Sequence, residues 1–123
     1  MASAIGTSPF RLPVTPLETD LVAKYFRGLG DPSRLRILEL LRDEGELSVG
    51  DLVDRLALAQ PKVSNHLACL RWCGFVAARQ DGRTVYNRIA DARVQEMLDL
   101  ARSLLADNAE HVAACCRIEE PAR

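Results

Sequence analysis

The sequence contains few aromatic residues and no long hydrophobic run. Aromatic residues make up only 5% of the chain, so the core must be built mainly from Leu, Val, Ile and Ala, as in many helical domains. No apolar run approaches the roughly 20 residues that a membrane-spanning helix needs. Residues 1–16 lack the basic start and continuous apolar stretch of a signal peptide. We therefore expect a cytoplasmic, mainly helical protein without a membrane partner.

The motifs of common enzymes are also missing. The sequence has no glycine-rich phosphate-binding loop and no serine, histidine and acid set at a recognisable spacing. Its 123 residues form one ordinary domain and leave no room for a separate catalytic domain. We therefore predict that the protein is not an enzyme.

Charge of one sign does not dominate the chain, whose net charge is −1. This balance argues against a protein that coats DNA without selectivity. The charge is nevertheless uneven, since residues 60–88 carry +4 and residues 91–120 carry −4. The first segment can face phosphate while the second faces solvent or protein.

Hydrophobic periodicity and capping signals predict helices around one β-hairpin. In chain order we expect a helix from Leu17 to Leu29, a helix capped by Asp31 and ending near Arg42, a turn or strand at Gly45–Leu47, helices Val49–Leu56 and Gln60–Trp72, strands Phe75–Gln80 and Thr84–Ile89, and a helix from Ala92 to Ala106 or beyond. The dipeptide Asp81-Gly82 favours a two-residue turn between the strands. This order predicts a mainly α winged helix–turn–helix fold with a small β-hairpin.

The expected domain organisation follows from these elements. Residues 1–16 carry Pro9, Pro13 and Pro16 and are predicted to be a flexible arm. Residues 17–106 form the DNA-binding and dimerisation domain, and residues 107–123 form a C-terminal segment with a cysteine pair. A homodimer is expected because the first and last helices both carry apolar stripes that one small core cannot cover.

The helix–turn–helix proportions identify candidate DNA-binding residues. In such a motif the early residues of the second helix meet the bases in the major groove, and a wing touches phosphate or the minor groove. Gln and Asn can pair with adenine, and Lys can contact guanine or phosphate. The predicted DNA-binding residues are Gln60, Lys62, Ser64, Asn65 and His66 on the helix, with Arg79 and Arg83 on the wing.

The four cysteines suggest a sensor. In a reducing compartment they are expected to be ligands or reactive thiols rather than disulfides. Cys69 and Cys73 stand four residues apart on one helix face, with their Cβ atoms about 5–6 Å apart, so both can reach one metal ion. Two thiolates suffice for linear Hg(II), whereas a third suits Cd(II), Pb(II) or As(III). Further thiols are available only at Cys115 and Cys116.

Other interpretations of these cysteines stay open. Cysteine on a helix is often a small buried hydrophobe, and the pair near the C-terminus can be incidental. Oxidation of the thiols would make the protein a redox-sensing repressor instead. Because a pair four residues apart in a rigid helix is poorly directed for a disulfide, oxidation would need Cys115 or Cys116.

Three segments resemble the ArsR/SmtB family of metal-responsive repressors. They run from Asp31 to Leu38 (DPSRLRIL), from Glu46 to Leu52 (ELSVGDL) and from Val63 to Leu67 (VSNHL), and the wing sequence from Gly82 to Tyr86 fits as well. The resemblance covers about residues 17–106. It implies a winged-helix homodimer that binds inverted-repeat double-stranded operator DNA and is released by its inducer.

The cysteine positions narrow the resemblance. Ser48 and Gly50 stand where members with a thiolate site on the third helix carry cysteines, so that site is absent. Asp107, Glu110 and His111 do not complete the zinc site that other members build on the last helix. Cys69 and Cys73 are similar to the cadmium- and lead-sensing CmtR branch, which completes its site with a C-terminal cysteine of the other subunit. The resemblance thus implies Cd(II) or Pb(II) as inducer, with Hg(II), As(III) or Zn(II) as alternatives, and Cys115 or Cys116 as the third ligand.

Overall fold

The structure is a computed structural model that describes residues 17–118. Its elements, in chain order, are α1 (Glu18–Leu29), α2 (Pro32–Glu44), β1 (Leu47–Ser48), α3 (Val49–Leu56), α4 (Gln60–Trp72), β2 (Val76–Asp81), β3 (Thr84–Ile89) and α5 (Ala92–Ala114). The fold is a mainly helical winged helix–turn–helix, as predicted. The predicted arm at residues 1–16 lies outside the described residues. None of the helices described is both long enough and apolar enough to cross a membrane.

The wing is part of a three-stranded antiparallel sheet with the order β1-β3-β2. β1 pairs with β3 through Leu47 opposite Asn87. The hairpin prediction is confirmed, but Asp81 pairs with Thr84, so the loop is Gly82-Arg83 rather than Asp81-Gly82. Gly82 has a φ of 63°, which glycine adopts at little cost at the first position of a tight hairpin. The shift places Arg83 directly at the wing tip.

The core fixes which face of α4 points outward. Val63, Leu67 and Leu70 of α4 are buried against side chains from α2, α3 and the sheet. Among the described residues, the largest side chains that are fully buried are those of Ile37, Leu38, Leu41, Leu52, Val63, Leu67, Leu70, Phe75 and Asn87. Because the apolar positions of α4 recur every three or four residues, its remaining positions face away from the core.

Side-chain caps begin the helices that hold the DNA-reading segment. The Asp31 carboxylate accepts hydrogen bonds from the backbone N–H groups of Ser33 and Arg34, at 2.8 and 3.1 Å. Ser48 and Asp51 form a reciprocal capping box at the start of α3. The turn between α3 and α4 contains Ala57 in a left-handed conformation, with a φ of 54°. The cap predicted at Asp31 is therefore confirmed, and Ser48 caps α3 in the same way.

The last helix, α5, extends well beyond the helix–turn–helix and the sheet. It continues past Ala106 to Ala114, so the predicted boundary between residues 106 and 107 lies inside one helix. Ion pairs of Arg42 with Asp99 and of Arg102 with Glu39 hold its first half against α2. From residue 99 to residue 114 every side chain of α5 is exposed in the single chain. At 1.5 Å per residue the whole helix is about 35 Å long.

The aromatic residues divide between the core and the surface. Phe75 is buried, and the ring of Tyr25 packs on it with 4.5 Å between the ring centroids. Phe26 and Trp72, in contrast, are 58% and 68% exposed. Of these four residues, Phe75 and, in part, Tyr25 therefore contribute to the core of the single chain.

Candidate DNA interface and thiol pair

The predicted reading residues share the outward face of α4. Gln60, Lys62 and Asn65 are exposed and Ser64 is half-buried. Within residues 17–118 their side chains make no hydrogen bond or ion pair. The donors and acceptors of this face are therefore not engaged within the described residues, and their role in DNA binding stays a prediction.

His66 has a different environment from its neighbours. It is half-buried, and its Nδ1 accepts a hydrogen bond from Nε of Arg34 at 3.2 Å. Arg34 also donates from a terminal nitrogen to the carbonyl oxygen of Gly28 at 3.2 Å. The residue predicted to touch DNA is thus held from within the protein, which leaves only Nε2 of its ring to face a ligand.

Sequence reasoning missed the role of Arg34. A signal was present, because a cation in the first turn of a helix opposes the helix dipole and so needs a specific partner. Here Arg34 lies in the first turn of α2 and finds two partners, the end of α1 and the middle of α4.

The two wing arginines also differ in whether another residue of the chain holds their side chains. Arg83 stands at the tip and makes no hydrogen bond or ion pair within the part of the chain that the structure describes. Nε of Arg79 instead donates to both carboxylate oxygens of Glu46, at 2.8 and 3.0 Å, and the guanidinium lies 4.9 Å from the ring centroid of Tyr86. The hydrogen bond from Arg79 lowers the pKa of Glu46 below its usual value. Arg83 is therefore free to meet phosphate, whereas Arg79 is engaged.

A buried asparagine joins the sheet to the reading helix. Asn87 is fully buried, donates to the carbonyl oxygen of Leu47 at 3.3 Å and accepts from Arg71 at 3.2 Å. Since Arg71 belongs to α4 and Leu47 to β1, this side chain connects three elements. Sequence reasoning missed it, although an amide inside a strand next to apolar residues indicates a buried polar contact.

Cys69 and Cys73 lie together at the C-terminal end of α4. Cys69 is half-buried, and Cys73 is exposed and follows the last helical residue. Partial burial of its thiol raises the pKa of Cys73 above its usual value, and the neighbouring Cys69 raises it further, whereas the charges of Arg34 and Lys24 lower it. The Cys73 thiol is therefore held in its protonated form at neutral pH.

A cavity of about 380 Å³ opens beside Cys73. Tyr25 and Met97 line it, together with Asp91 and Arg93 at the start of α5. The hydrogen bond from Arg93 lowers the pKa of Asp91 to about 2, so this wall carries an ion pair at neutral pH. Cys73 therefore lines the same cavity as this ion pair.

Cys115 and Cys116 are not brought to this pair within one chain. Cys115 caps the far end of α5, whereas the near end of that helix lines the cavity beside Cys73. Cys115 lies 22 positions after Arg93, which is about 33 Å along a helix. Among residues 17–118 no three Cys, His, Asp or Glu side chains converge as a metal-binding group. Within the described residues, Cys115 and Cys116 therefore do not complete a three-thiolate site with Cys69 and Cys73 of the same chain.

Comparison with known proteins identifies a protein family and several relatives of this chain. Residues 31–78 match the family model described as "Bacterial regulatory protein, arsR family". The chain is 42% identical to a "Probable mercury resistance operon repressor" of Streptomyces lividans over 80% of this chain and 78% of that protein. It is 43% identical to the regulator CmtR of Mycobacterium tuberculosis over 69% of this chain and 72% of the relative. The crystal structure of the antimony-specific repressor AntR superposes with a TM-score of 0.65 at 30% identity, over 85% of this chain and 96% of AntR.

Proposed function

Because the chain belongs to the ArsR family of bacterial regulatory proteins, we propose that it is a transcriptional repressor that leaves its operator when a soft metal ion binds its cysteine thiolates. The predicted resemblance to this family is confirmed. The relatives are transcriptional regulators, in agreement with the prediction that the protein is not an enzyme.

One observation carries the proposal: the two adjacent thiols stand on the helix that presents the reading residues. Cys69 lies four residues beyond Asn65 on α4, and Cys73 directly follows that helix. Thiolate sulfur is the donor that Hg(II), Cd(II), Pb(II) and As(III) prefer. A metal held here acts on the reading helix itself rather than on a distant domain.

The third ligand belongs, in this proposal, to a second copy of the chain. Exposed apolar side chains line the two flanking helices, including Val22 and Phe26 on α1 and Leu100, Leu104 and Val112 on α5. A homodimer that covers these faces would remove them from water. If the two α5 helices pair antiparallel, the far end of one lies near the Cys73 cavity of its partner and offers Cys115 or Cys116.

Cd(II) and Pb(II) are the inducers we favour, because three thiolates suit them and Zn(II) prefers four ligands. The relatives support a thiophilic inducer in general, since one is named for mercury resistance and another is described as antimony-specific. Hg(II), As(III) and Zn(II) are therefore the comparison ions.

Release requires differential affinity. A metal ion lowers operator affinity only if it binds the free protein more tightly than the DNA-bound protein, and the loss of affinity equals that difference. The strain of bringing two thiolates and a partner's cysteine onto one ion is the cause we propose.

The proposal is tested by measuring operator affinity of the reduced protein with and without each ion. The probe is a duplex that the wild-type protein selects from a random-sequence pool. We expect Cd(II) to produce thiolate-to-metal charge-transfer absorption and to weaken binding. Cys69→Ser and Cys73→Ser should abolish both effects and leave the metal-free affinity unchanged. A Cys69/Cys73 double variant that still releases DNA on adding Cd(II) would contradict the proposal.

Two further variants refine this experiment. Ala68→Ser places a hydroxyl on the exposed part of α4 without removing a thiol, so it should respond like the wild type. Replacing Cys115 and Cys116 together should lower the coordination number and weaken the response without abolishing metal capture at Cys69 and Cys73.

The redox alternative makes a different prediction. The thiolate is the reactive form in oxidation, and the raised pKa of Cys73 keeps its thiol protonated at neutral pH. This disfavours a redox sensor. Release of DNA by peroxide but not by any metal ion would favour it.

A further inference from the structure

Arg34 connects two helices that the proposed function must coordinate. Its Nε donates to Nδ1 of His66 on α4, and a terminal nitrogen donates to the carbonyl oxygen of Gly28 in the last turn of α1, each at 3.2 Å. A single half-buried guanidinium therefore joins the flanking helix α1 to the reading helix α4.

The helix period places His66 on the same face of α4 as both cysteines. His66, Cys69 and Cys73 are spaced by three and four residues, so they occupy one face of α4 and its C-terminal extension. His66 directly follows Asn65 of the reading face. The histidine that Arg34 bonds therefore lies next to a reading residue and on the same helix face as both cysteines.

We propose that Arg34 is a positioning residue that fixes the DNA-reading end of α4 through His66 and couples it to the thiol pair. The coupling part rests on the proposed function, whereas the positioning part does not. In the metal-free protein the bond to His66 holds α4 in register with α1 and α2. Because Cys69 and Cys73 lie on the same face of α4 as His66, a metal ion that moves this end of the helix would also move the imidazole relative to Arg34.

The structural alternative is that Arg34 only caps α1. A cation near the last carbonyls of a helix is favourable for stability by itself. That role predicts an effect on thermal unfolding and none on the imidazole or on the response to metal. The test therefore needs measurements besides stability.

The first experiment is a double-mutant cycle on the metal-free protein with Arg34→Met, His66→Ala and the double variant. Operator affinity is measured against salt concentration with the selected duplex. Because Arg34→Met removes a charge-assisted hydrogen bond, operator affinity is expected to fall roughly tenfold. The double variant should bind no more weakly than the weaker single variant, and the salt slope should stay unchanged. Arg36→Met is the matched control, because Arg36 is exposed on the same helix, and it should bind like the wild type.

Three results would overturn the positioning role. Additive losses in the cycle would show that Arg34 and His66 act independently. A salt slope smaller by about one in Arg34→Met would show that Arg34 contacts phosphate instead. Unchanged affinity of a folded Arg34→Met would remove the role altogether. If Arg34→Met does not fold, Arg34→Lys replaces it, since one ammonium cannot reproduce donation from two separate guanidinium nitrogens.

A spectroscopic signature separates positioning from capping. Because Nδ1 of His66 accepts a hydrogen bond from Arg34, the neutral ring carries its proton on Nε2. The ¹⁵N chemical shifts of the ring report this tautomer. Arg34→Met should shift the ring toward a mixture of tautomers, and adding Cd(II) to the wild type should do the same. An unperturbed ring in both cases would contradict the proposal.

The second experiment measures the ratio of operator affinities without and with Cd(II). We expect this ratio to shrink several-fold in Arg34→Met while charge-transfer absorption is retained. An unchanged ratio in this variant would overturn the coupling. A wild-type protein that shows no response to any ion would instead contradict the proposed function, and the metal-free cycle would still decide the role of Arg34.

Discussion

The two ends of α4 differ in how they are held. At the N-terminal end, Gln60, Lys62 and Asn65 project into solvent and make no side-chain contact by hydrogen bond or ion pair within residues 17–118. At the C-terminal end, Leu70 is buried and Arg71 is bonded to Asn87. One helix thus combines a set of side chains that can be exchanged with little effect on folding and an end that the fold depends on. The difference predicts that specificity and stability respond to different substitutions.

The largest expected effect is at the open end. Changing Ser64 and Asn65 together to Ala should abolish operator preference, because each good base contact contributes about 1–3 kcal/mol of discrimination. The expected loss of specific over non-specific affinity is therefore roughly 30-fold or more. Competition binding with a scrambled duplex measures it, and circular dichroism should show an intact fold. A variant that still selects its operator would place the reading face elsewhere.

Asn87→Ala tests the anchored end. The substitution leaves the carbonyl of Leu47 and the guanidinium of Arg71 without their buried partner, so the free energy of unfolding should fall by about 1–3 kcal/mol. Chemical denaturation provides the measurement. The ratio of specific to non-specific DNA affinity should not change. A loss of specificity without a loss of stability would mean that the C-terminal end of α4 supports DNA reading rather than the fold.

Metal binding at the anchored end should depend on pH. Burial and the neighbouring Cys69 raise the pKa of Cys73, so its thiol is protonated near pH 7 and must lose a proton to bind metal. Apparent Cd(II) affinity should therefore increase with pH, by about tenfold per unit for each thiol deprotonated, and level off above the raised pKa. Competition with a chelator between pH 6 and 8 measures this dependence. A flat profile would mean that the thiols are already ionised.

The smallest expected effect distinguishes the two wing arginines. Arg83→Ala should weaken binding to all DNA sequences a few-fold and reduce the salt slope by about 0.9, the value for one phosphate contact. Arg79→Ala should change the slope less, because Glu46 already engages its guanidinium. Titrations at several salt concentrations compare the two variants. An equal reduction would show that Arg79 leaves Glu46 when DNA binds.

The sequence was sufficient to predict the order of elements and the outward face of α4, because both depend on local periodicity and caps such as Asp31 and Ser48. It was less reliable for long-range pairing. The hairpin loop was misplaced by one residue, since Asp81-Gly82 is a good local turn signal but the ladder continues through Asp81. The partners of His66, Arg79 and Asn87 come from segments 16 to 40 residues away, and no local pattern specifies them.

In the candidate metal site, too, the local part could be predicted from the sequence and the long-range part could not. The proximity of Cys69 and Cys73 follows from helix geometry and could be predicted. The distance of Cys115 from that pair depends on α5 continuing without a break to Ala114, which the sequence left open beyond Ala106.

The exposed half of α5 has a consequence for how the protein depends on its own abundance. Helices of this length are marginal in water when no packing supports them, and residues 99–114 are exposed throughout the single chain. In the proposed dimer the order of this segment would follow mass action, so dilution would fray it and remove the third sulfur ligand at the same time. A cell with few copies of the repressor would then need a higher metal concentration for derepression than a cell with many. The response threshold would be set by gene dosage as well as by the affinity of the thiols.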